Sequence, residues 1–177
     1  ADSVAPIQSI GNSITAPHDL ENEEHVKLTL YMLSESVAAR LRSHGFRCQT
    51  VQISIRDTGL GWFSRQQRLS CSTDLSGEIA GAAMALFCRH YDWQRPVRSL
   101  GVRGCELVSD TEPEQISVFL DEQQRYKKQR LEQAMDHLRS RFGYEVIKRG
   151  VLLTDPAIGL VNPKDDHIIH PVGYFAH

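Results

Sequence analysis

No apolar run in this 177-residue chain approaches the roughly 20 residues that a membrane-crossing helix needs. Cysteine is scarce. Cys48, Cys71, Cys88 and Cys105 stand far apart with no C-x-x-C pair, so neither a zinc knuckle nor a disulfide framework is expected. Four reduced thiols in a cytoplasmic protein are the expectation. Clustered carboxylates at strand ends, the spacing that holds Mg2+ against a triphosphate, are also missing, so no catalytic centre for phosphoryl transfer is expected within this chain. The opening residues, ADSVAPIQSIGNS, lack the basic-then-apolar build of a targeting segment. They read as a linker running into a strand, as in an excised part of a longer protein. Lysine is absent from the middle: residues 36–103 hold ten arginines, no lysine and four Asp or Glu.

What is present is ordinary globular material, 41% hydrophobic and 24% charged, with a formal net charge of −2. That net charge alone argues against a nucleic-acid partner, but its distribution does not. Residues 1–35 carry one Lys against six Asp or Glu, and residues 104–177 carry nine Lys or Arg against twelve. The basic middle is built from the side chain that best makes paired hydrogen bonds to phosphate or carboxylate.

Residues 8–14, QSIGNSI, read as a strand in which Gly11 permits a close backbone approach. Over 22–44 the spacing of Val26, Leu30, Leu33, Val37 and Leu41 predicts one helical stripe, with acids in its first turn, Arg40 and Arg42 in its last, and Gly45 to end it. Val51, Ile53 and Ile55 then alternate with Thr50, Gln52, Ser54 and Arg56 as in a half-buried strand. A loop over Thr58–Ser64, with Gly59 and Gly61, leads to a returning strand that puts Leu69 and Cys71 inward. Ser76 is placed to cap a helix over 77–91. A last strand over VRSLGVRGCELV turns Leu100 and Val102 inward. The order β-α-β-β-α-β over residues 8–108 predicts an α+β, ferredoxin-like domain, with one sheet and both helices on one face. The other face would collect Thr50, Gln52, Ser54, Arg56, Gln66, Arg68, Ser70, Ser99 and Arg103, with almost no carboxylate. A merely solvated face mixes both signs. An anionic partner is indicated. The alternative is a ferredoxin-like module that binds a protein or a metabolite. An RNA-reading sheet would need a pair of surface aromatics to stack bases, and the face has none.

The segments QSIGNSITAPHDL, VQISIRDTGLGWFSRQQRLS and RPVRSLGVRGCELV, in that order, resemble the little-finger domain of Y-family translesion DNA polymerases of the bacterial DinB/UmuC type, over about the first 110 residues. The resemblance implies that the open sheet face docks in the major groove of duplex DNA and grips the backbone without reading sequence, as polymerases in damage bypass and repair require. Carried over, the phosphate contacts fall on Ser9, Gly11, Asn12, Ser13, Arg56, Arg65, Arg68, Ser70, Arg98 and Arg103. Family members often carry Lys or Arg where this chain has Gln8, so the first strand is expected to contribute less charge. The Mg2+ and the catalytic carboxylates of such a polymerase belong to a palm that precedes this segment. No cofactor or metal is expected in the present chain, and no membrane contact.

Past residue 110 the character changes. EPEQISVFLDEQQ sets Ile116, Val118 and Phe119 on a strongly polar connector, a liability unless a partner covers them. Gln115-Ile116-Ser117-Val118-Phe119 resembles the peptide by which bacterial Y-family polymerases bind the sliding clamp, an apolar–aromatic pair beside a hydrogen-bonding glutamine. The other reading is that these side chains pack back on the domain or begin the next helix. Residues 120–142 read as a helix with Leu131, Ala134, Met135, Leu138 and Phe142 as its packing stripe. The region resembles the C-terminal extension of some Firmicutes homologues. Asp165, Asp166, His167 and His170 lie close together but between prolines in a loop, and no metal is assigned to them. Trp62 and Phe63 are read as plugging the end of the hairpin rather than stacking on a base. The organisation expected is a linker over 1–7, the DNA-binding domain over 8–109, a linker with the clamp motif over 110–119, and a helical extension with a tail over 120–177. Purified alone, the chain is expected to extend no primer. Measurable nucleotide incorporation on a primed template would contradict this.

Overall fold

The computed structural model describes residues 7–112 and 122–163. The clamp-like motif at 115–119 and the Asp165–His170 cluster lie outside the described residues.

Strand β1 (Ser9–Leu20) leads to helix α1 (Glu23–Ser43), then to the hairpin of β2 (Phe46–Asp57) and β3 (Trp62–Thr73), helix α2 (Ser76–His90) and β4 (Val97–Ser109). The expected element order is therefore present. Hydrogen bonding lays the strands in the order β1-β4-β2-β3, with every neighbouring pair antiparallel. Each β-α-β unit is split by a strand of the other. β4 lies between β1 and β2, and β2 lies between β3 and β4, which leaves β1 and β3 at the edges. An edge position explains why β1 runs past the predicted residue 14 and through Pro17. A proline has no N–H for the ladder, and the β1–β4 register breaks between Thr15 and Leu20.

Asn22 starts α1, its Oδ1 accepting from the His25 N–H at 2.9 Å. The predicted stripe of Val26, Leu30, Leu33, Val37 and Leu41 is fully buried. Leu28, Met32, Glu35 and Ser36 are buried as well, so α1 is covered on more than one side. The extra cover is the C-terminal extension: α3 (Glu122–Phe142), 3-10 turns at Tyr144–Val146 and Gly150–Thr154, and a short α4 (Pro156–Gly159). Leu152 and Ile158 enter the same core cluster as the sheet and helices. Each contributes on the order of 1.5–3 kcal/mol by burial. Gly159 has no Cβ because one would overlap the Leu152 carbonyl oxygen. That close approach folds α4 onto the turn before it.

α3 does not dock as its apolar spacing predicts. Leu131 is 61% exposed, Phe142 58% and Leu138 38%, while Glu132 and Arg139 are buried at 7% each. Charge holds this helix instead. Glu132 Oε2 accepts from Arg42 Nη1 at 2.6 Å, and Asp136 Oδ2 accepts from Arg42 Nε at 2.6 Å. Glu35 of α1 accepts from Arg139 Nη2 at 2.9 Å and also pairs with Arg149 Nε. Tyr144 lies beneath Arg139, its ring centre 4.5 Å from the guanidinium carbon. Its phenol is pushed up to about 12 by burial and then by the Glu35 charge.

Ser76 does not cap α2. It is the first residue of the helix, and Leu75 at the N-cap position supplies no side-chain bond. The cap comes from α3: the Glu132 carboxylate accepts from the Ser76 N–H at 3.0 and 3.1 Å and from its hydroxyl at 2.6 Å. An anion at a helix N-terminus satisfies an orphan donor and meets the positive end of the helix dipole. Two further ties reach β1. Asn12 Nδ2 donates to Pro163 O at 2.8 Å, and His18 Nε2 lies 2.9 Å from Asp155 Oδ2. Asp155 also accepts from the Ala157 and Ile158 N–H groups to start α4. The His18 pKa is raised by its hydrogen bond with the Asp19 backbone and then by Asp155.

Glu35→Ala is expected to leave the Arg139 charge buried without its carboxylate, to remove one of the two carboxylates beside Arg149, and to cost about 3–5 kcal/mol. Denaturant unfolding measures the loss, and hydrogen exchange over residues 122–163 locates it. Leu153→Ala, at an exposed site, serves as the control, expected within about 0.5 kcal/mol of the parent. A Glu35→Ala change as small as the control would show that the ion cluster does not hold the extension.

Candidate nucleic-acid interface

The open face of the sheet is defined by strand register. Crossing from β1 through β4 and β2 to β3, one row reads Ser9, Cys105, Thr50 and Arg68, and the next Gly11, Arg103, Gln52 and Gln66. Then follow Ser13, Gly101, Ser54 and Ser64, and last Thr15, Ser99, Arg56 and Trp62. The period of two puts Ile10, Ile14, Val51, Ile53, Ile55, Leu100 and Val102 on the other side, under the helices. Neighbouring strands lie about 4.8 Å apart and successive rows about 6.7 Å apart.

These rows carry Arg56, Arg68 and Arg103, all exposed, and no carboxylate. Gly11 makes room for Arg103. A Cβ there would lie 3.0 Å from the Arg103 Cβ and 3.1 Å from its Nε. The arginine stem therefore lies across β1, and its Nη1 donates to Ser9 Oγ at 3.4 Å. The third row is made only of serine and glycine, with a hypothetical Gly101 Cβ 3.0 Å from Ser13 Cβ. It forms a shallow trough of hydroxyls between the Arg103 row and the Arg56 row. Thr15 and Ser99 hydroxyls meet at 3.1 Å beside it.

One carboxylate that sequence alone did not place reaches the margin of this face. Glu106 adopts a left-handed φ of 52°, and its Oε2 accepts from Thr50 Oγ1 at 2.6 Å. Nearby, Arg68 Nη2 donates to Gln49 Oε1 at 3.1 Å. Cys105 sits half-buried in the first row. Burial pushes its thiol pKa up, against the pull of Arg103. Cys48, fully buried in the core, is pushed to about 12 by burial. All four cysteines are free thiols, as the sequence predicts.

The structure brings Ser9, Gly11, Ser13, Arg56, Arg68 and Arg103 onto one face. Ser70 is exposed, in the stretch after Arg68 where β2–β3 pairing slips. Three of the predicted residues stand elsewhere. Asn12 is buried on the helix side, where its Nδ2 donates to Ser36 Oγ at 3.1 Å and to Pro163 O. Its parity with Ile10 and Ile14 was the available signal. Arg65 pairs in register with Ile53, so it leaves the open face and lies over the Phe63 ring at 5.1 Å. It lines a cavity of about 430 Å3 with His90, Tyr91 and Arg95. Arg98 is exposed but ion-paired with Asp19 at 3.3 Å, at the end of the sheet where registers break. The hairpin aromatics divide. Phe63 turns inward and stacks on Tyr91 at 6.3 Å, while Trp62 stays 65% exposed opposite Arg56.

Among the described residues no three His, Cys, Asp or Glu side chains stand together as metal ligands would. No described helix is long and apolar enough to cross a membrane.

A face of arginine, hydroxyl and glycine on a rigid sheet suits a repeating anion. The model of the impB/mucB/samB family C-terminal domain matches residues 7–118. A DNA polymerase IV of Acetivibrio thermocellus is 45% identical over 160 residues, covering 90% of this chain and 40% of the relative. A DNA polymerase IV 2 of Bacillus subtilis is 36% identical over 151 residues, or 83% and 35% of the two chains. The first of these alignments is longer than the family match, so that similarity includes part of the extension. A solved Y-family DNA polymerase chimera aligns with 59% of this chain and 30% of its own length, with a TM-score of 0.49 and 14% identity. The chain spans about 40% or less of the length of these curated relatives.

Proposed function

The chain belongs to the impB/mucB/samB family, whose C-terminal domain it contains, and on that premise we propose that it is the DNA-gripping, clamp-recruiting C-terminal part of a translesion DNA polymerase of the DNA polymerase IV type. The observation that carries the reading is the open sheet face, with three exposed arginines and no carboxylate in its register rows. Guanidinium groups on this face bind phosphate oxygens in pairs. Ser13, Ser54 and Ser64 offer hydroxyls from a row low enough for a phosphate backbone to approach closely. None of these groups is aimed to discriminate one base edge from another, so the grip is independent of sequence. That property suits synthesis across damaged templates. On this reading phosphoryl transfer and its Mg2+ belong to a part of a longer protein outside this chain.

Recruitment rests on Gln115–Phe119. Three residues further on, α3 begins, and the domain's last strand ends at Ser109. The motif is thus tethered on both sides to folded parts, which raises its effective concentration at a clamp once DNA is held.

The salt dependence of duplex binding tests the grip. Replacing Arg56, Arg68 and Arg103 by alanine is expected to flatten the slope of log K against log salt by about 0.9 for each phosphate no longer neutralised. Affinity should fall equally for unrelated sequences. An unchanged slope in this variant would remove the sheet face from DNA binding, and salt-independent binding would favour a small-molecule site. For the motif, calorimetric titration of a bacterial sliding clamp should show Phe119→Ala at least about 30-fold weaker than the parent, the loss of an aromatic anchor worth about 2 kcal/mol. Equal affinity of the two proteins would exclude the motif as the clamp contact.

A further inference from the structure

Helix α3 separates its charges by side. Two of its three carboxylates, Glu132 and Asp136, turn into the domain and pair with Arg42. Arg139 turns in with them onto Glu35, and Arg125 is held by Glu78 at 3.1 Å. The remaining cations, Lys127, Lys128, Arg130 and Arg141, are all exposed. No carboxylate among the described residues pairs with any of them. Among the described side chains from Lys127 to Arg141, the face turned to solvent is therefore of one sign, on a chain whose net charge is −2. A solvated helix ordinarily interleaves both signs along its surface.

Two of these cations are also positioned. The Arg130 guanidinium lies 6.0 Å from the Tyr126 ring centre, and that of Arg141 lies 5.0 Å from the Phe142 ring centre. Such contacts favour a cation over a ring face. They account for two large side chains left in water, Tyr126 at 61% and Phe142 at 58% exposure. From Lys127 to Arg141 the helix rises about 21 Å. One strand of duplex DNA presents a phosphate about every 3.4 Å along its axis, so this length runs past about six of them.

We infer that the solvent face of α3 is a second contact surface for the phosphate backbone of duplex DNA, separate from the open sheet face. It rests on the DNA-binding reading above and extends it to a part of the chain beyond the matched family domain. Glu132, Asp136, Arg125 and Arg139 lock the helix to the domain, and its four other bases are left to the ligand. Leu131 and Leu138 lie among these cations, but the unanswered positive charge sets the partner's chemistry.

The test uses the full chain and a mixed-sequence duplex, followed by fluorescence anisotropy between 50 and 200 mM salt, the range over which binding to phosphates weakens steeply, roughly as salt to the power 0.9 per phosphate. Three proteins are compared with the parent. One carries Lys127→Gln, Lys128→Gln, Arg130→Gln and Arg141→Gln. The second carries Arg56→Ala, Arg68→Ala and Arg103→Ala. The third keeps the charge, with Lys127→Arg and Lys128→Arg. The first variant should retain the parent's thermal midpoint, since none of its positions is buried. Its slope should be shallower by about 2 to 4, at about 0.9 per phosphate, and the charge-keeping variant should match the parent. A parental slope in the first variant, with a flattened slope in the second, overturns the role of α3 while leaving the sheet face in place, and points to an acidic protein surface as the occupant. A parent that binds no duplex at the lowest salt overturns both readings together.

Discussion

The contact on which the extension depends is a carboxylate at the start of a helix. Glu132 reaches from α3 to the N-terminus of α2, accepts from the Ser76 N–H and hydroxyl, and is itself met by Arg42. Around it Glu35, Asp136, Arg139 and Arg149 complete a set in which three acids answer three guanidinium groups. Buried ions are costly to desolvate, so a set like this adds little net stability relative to an apolar contact of the same shape. What it does provide is position. Each carboxylate has two oxygens and each guanidinium a fixed fork of donors, so α3 has few ways to satisfy them all.

That arrangement changes the meaning of α3. A helix docked through leucine would hide its apolar stripe and leave acids and bases mixed on its surface. This helix is docked through charged groups, Glu132 and Asp136 with Arg125 and Arg139. Leu131, Leu138 and Phe142 are left in water, and so are Lys127, Lys128, Arg130 and Arg141. The fold thus turns Glu132 and Asp136 inward and leaves Lys127, Lys128, Arg130 and Arg141 on the surface. On the opposite side of the domain the sheet reaches a similar result by the pleat. Alternation sends isoleucine, valine and leucine to the helices, and arginine, serine and glycine outward.

Much of this was legible in the chain. The alternating runs at Val51–Ile55 and Leu100–Val102 marked both strand and facing. The three-and-four spacing of Val26 through Leu41 marked α1. The element order followed, as did the arginine-rich face at Arg56, Arg68 and Arg103. Parity also bears on two residues expected on the open face. Asn12 shares its phase with Ile10 and Ile14, and Arg65 shares its phase with Leu69, so the same rule takes both off the open face, with Asn12 buried and Arg65 exposed. The strand order and the edge position of β1 were not legible, because pairing joins segments distant in sequence. Nor was the answering of Arg98 by Asp19, across a sheet end where the registers break.

By itself the sequence determined the periods, since a period of two or of 3.6 is a property of neighbouring residues. It thereby determined the elements, their order and the sheet's two faces. Only the tertiary structure decided which charges are spent inside and which are left free. A carboxylate looks the same in sequence whether it caps a helix, pairs with an arginine or faces water. Its role depends on which surface comes to lie within about 3 Å of it, the reach of a hydrogen bond. That is why Glu132, and not Ser76, caps α2, and why the packing face of α3 is its charged one.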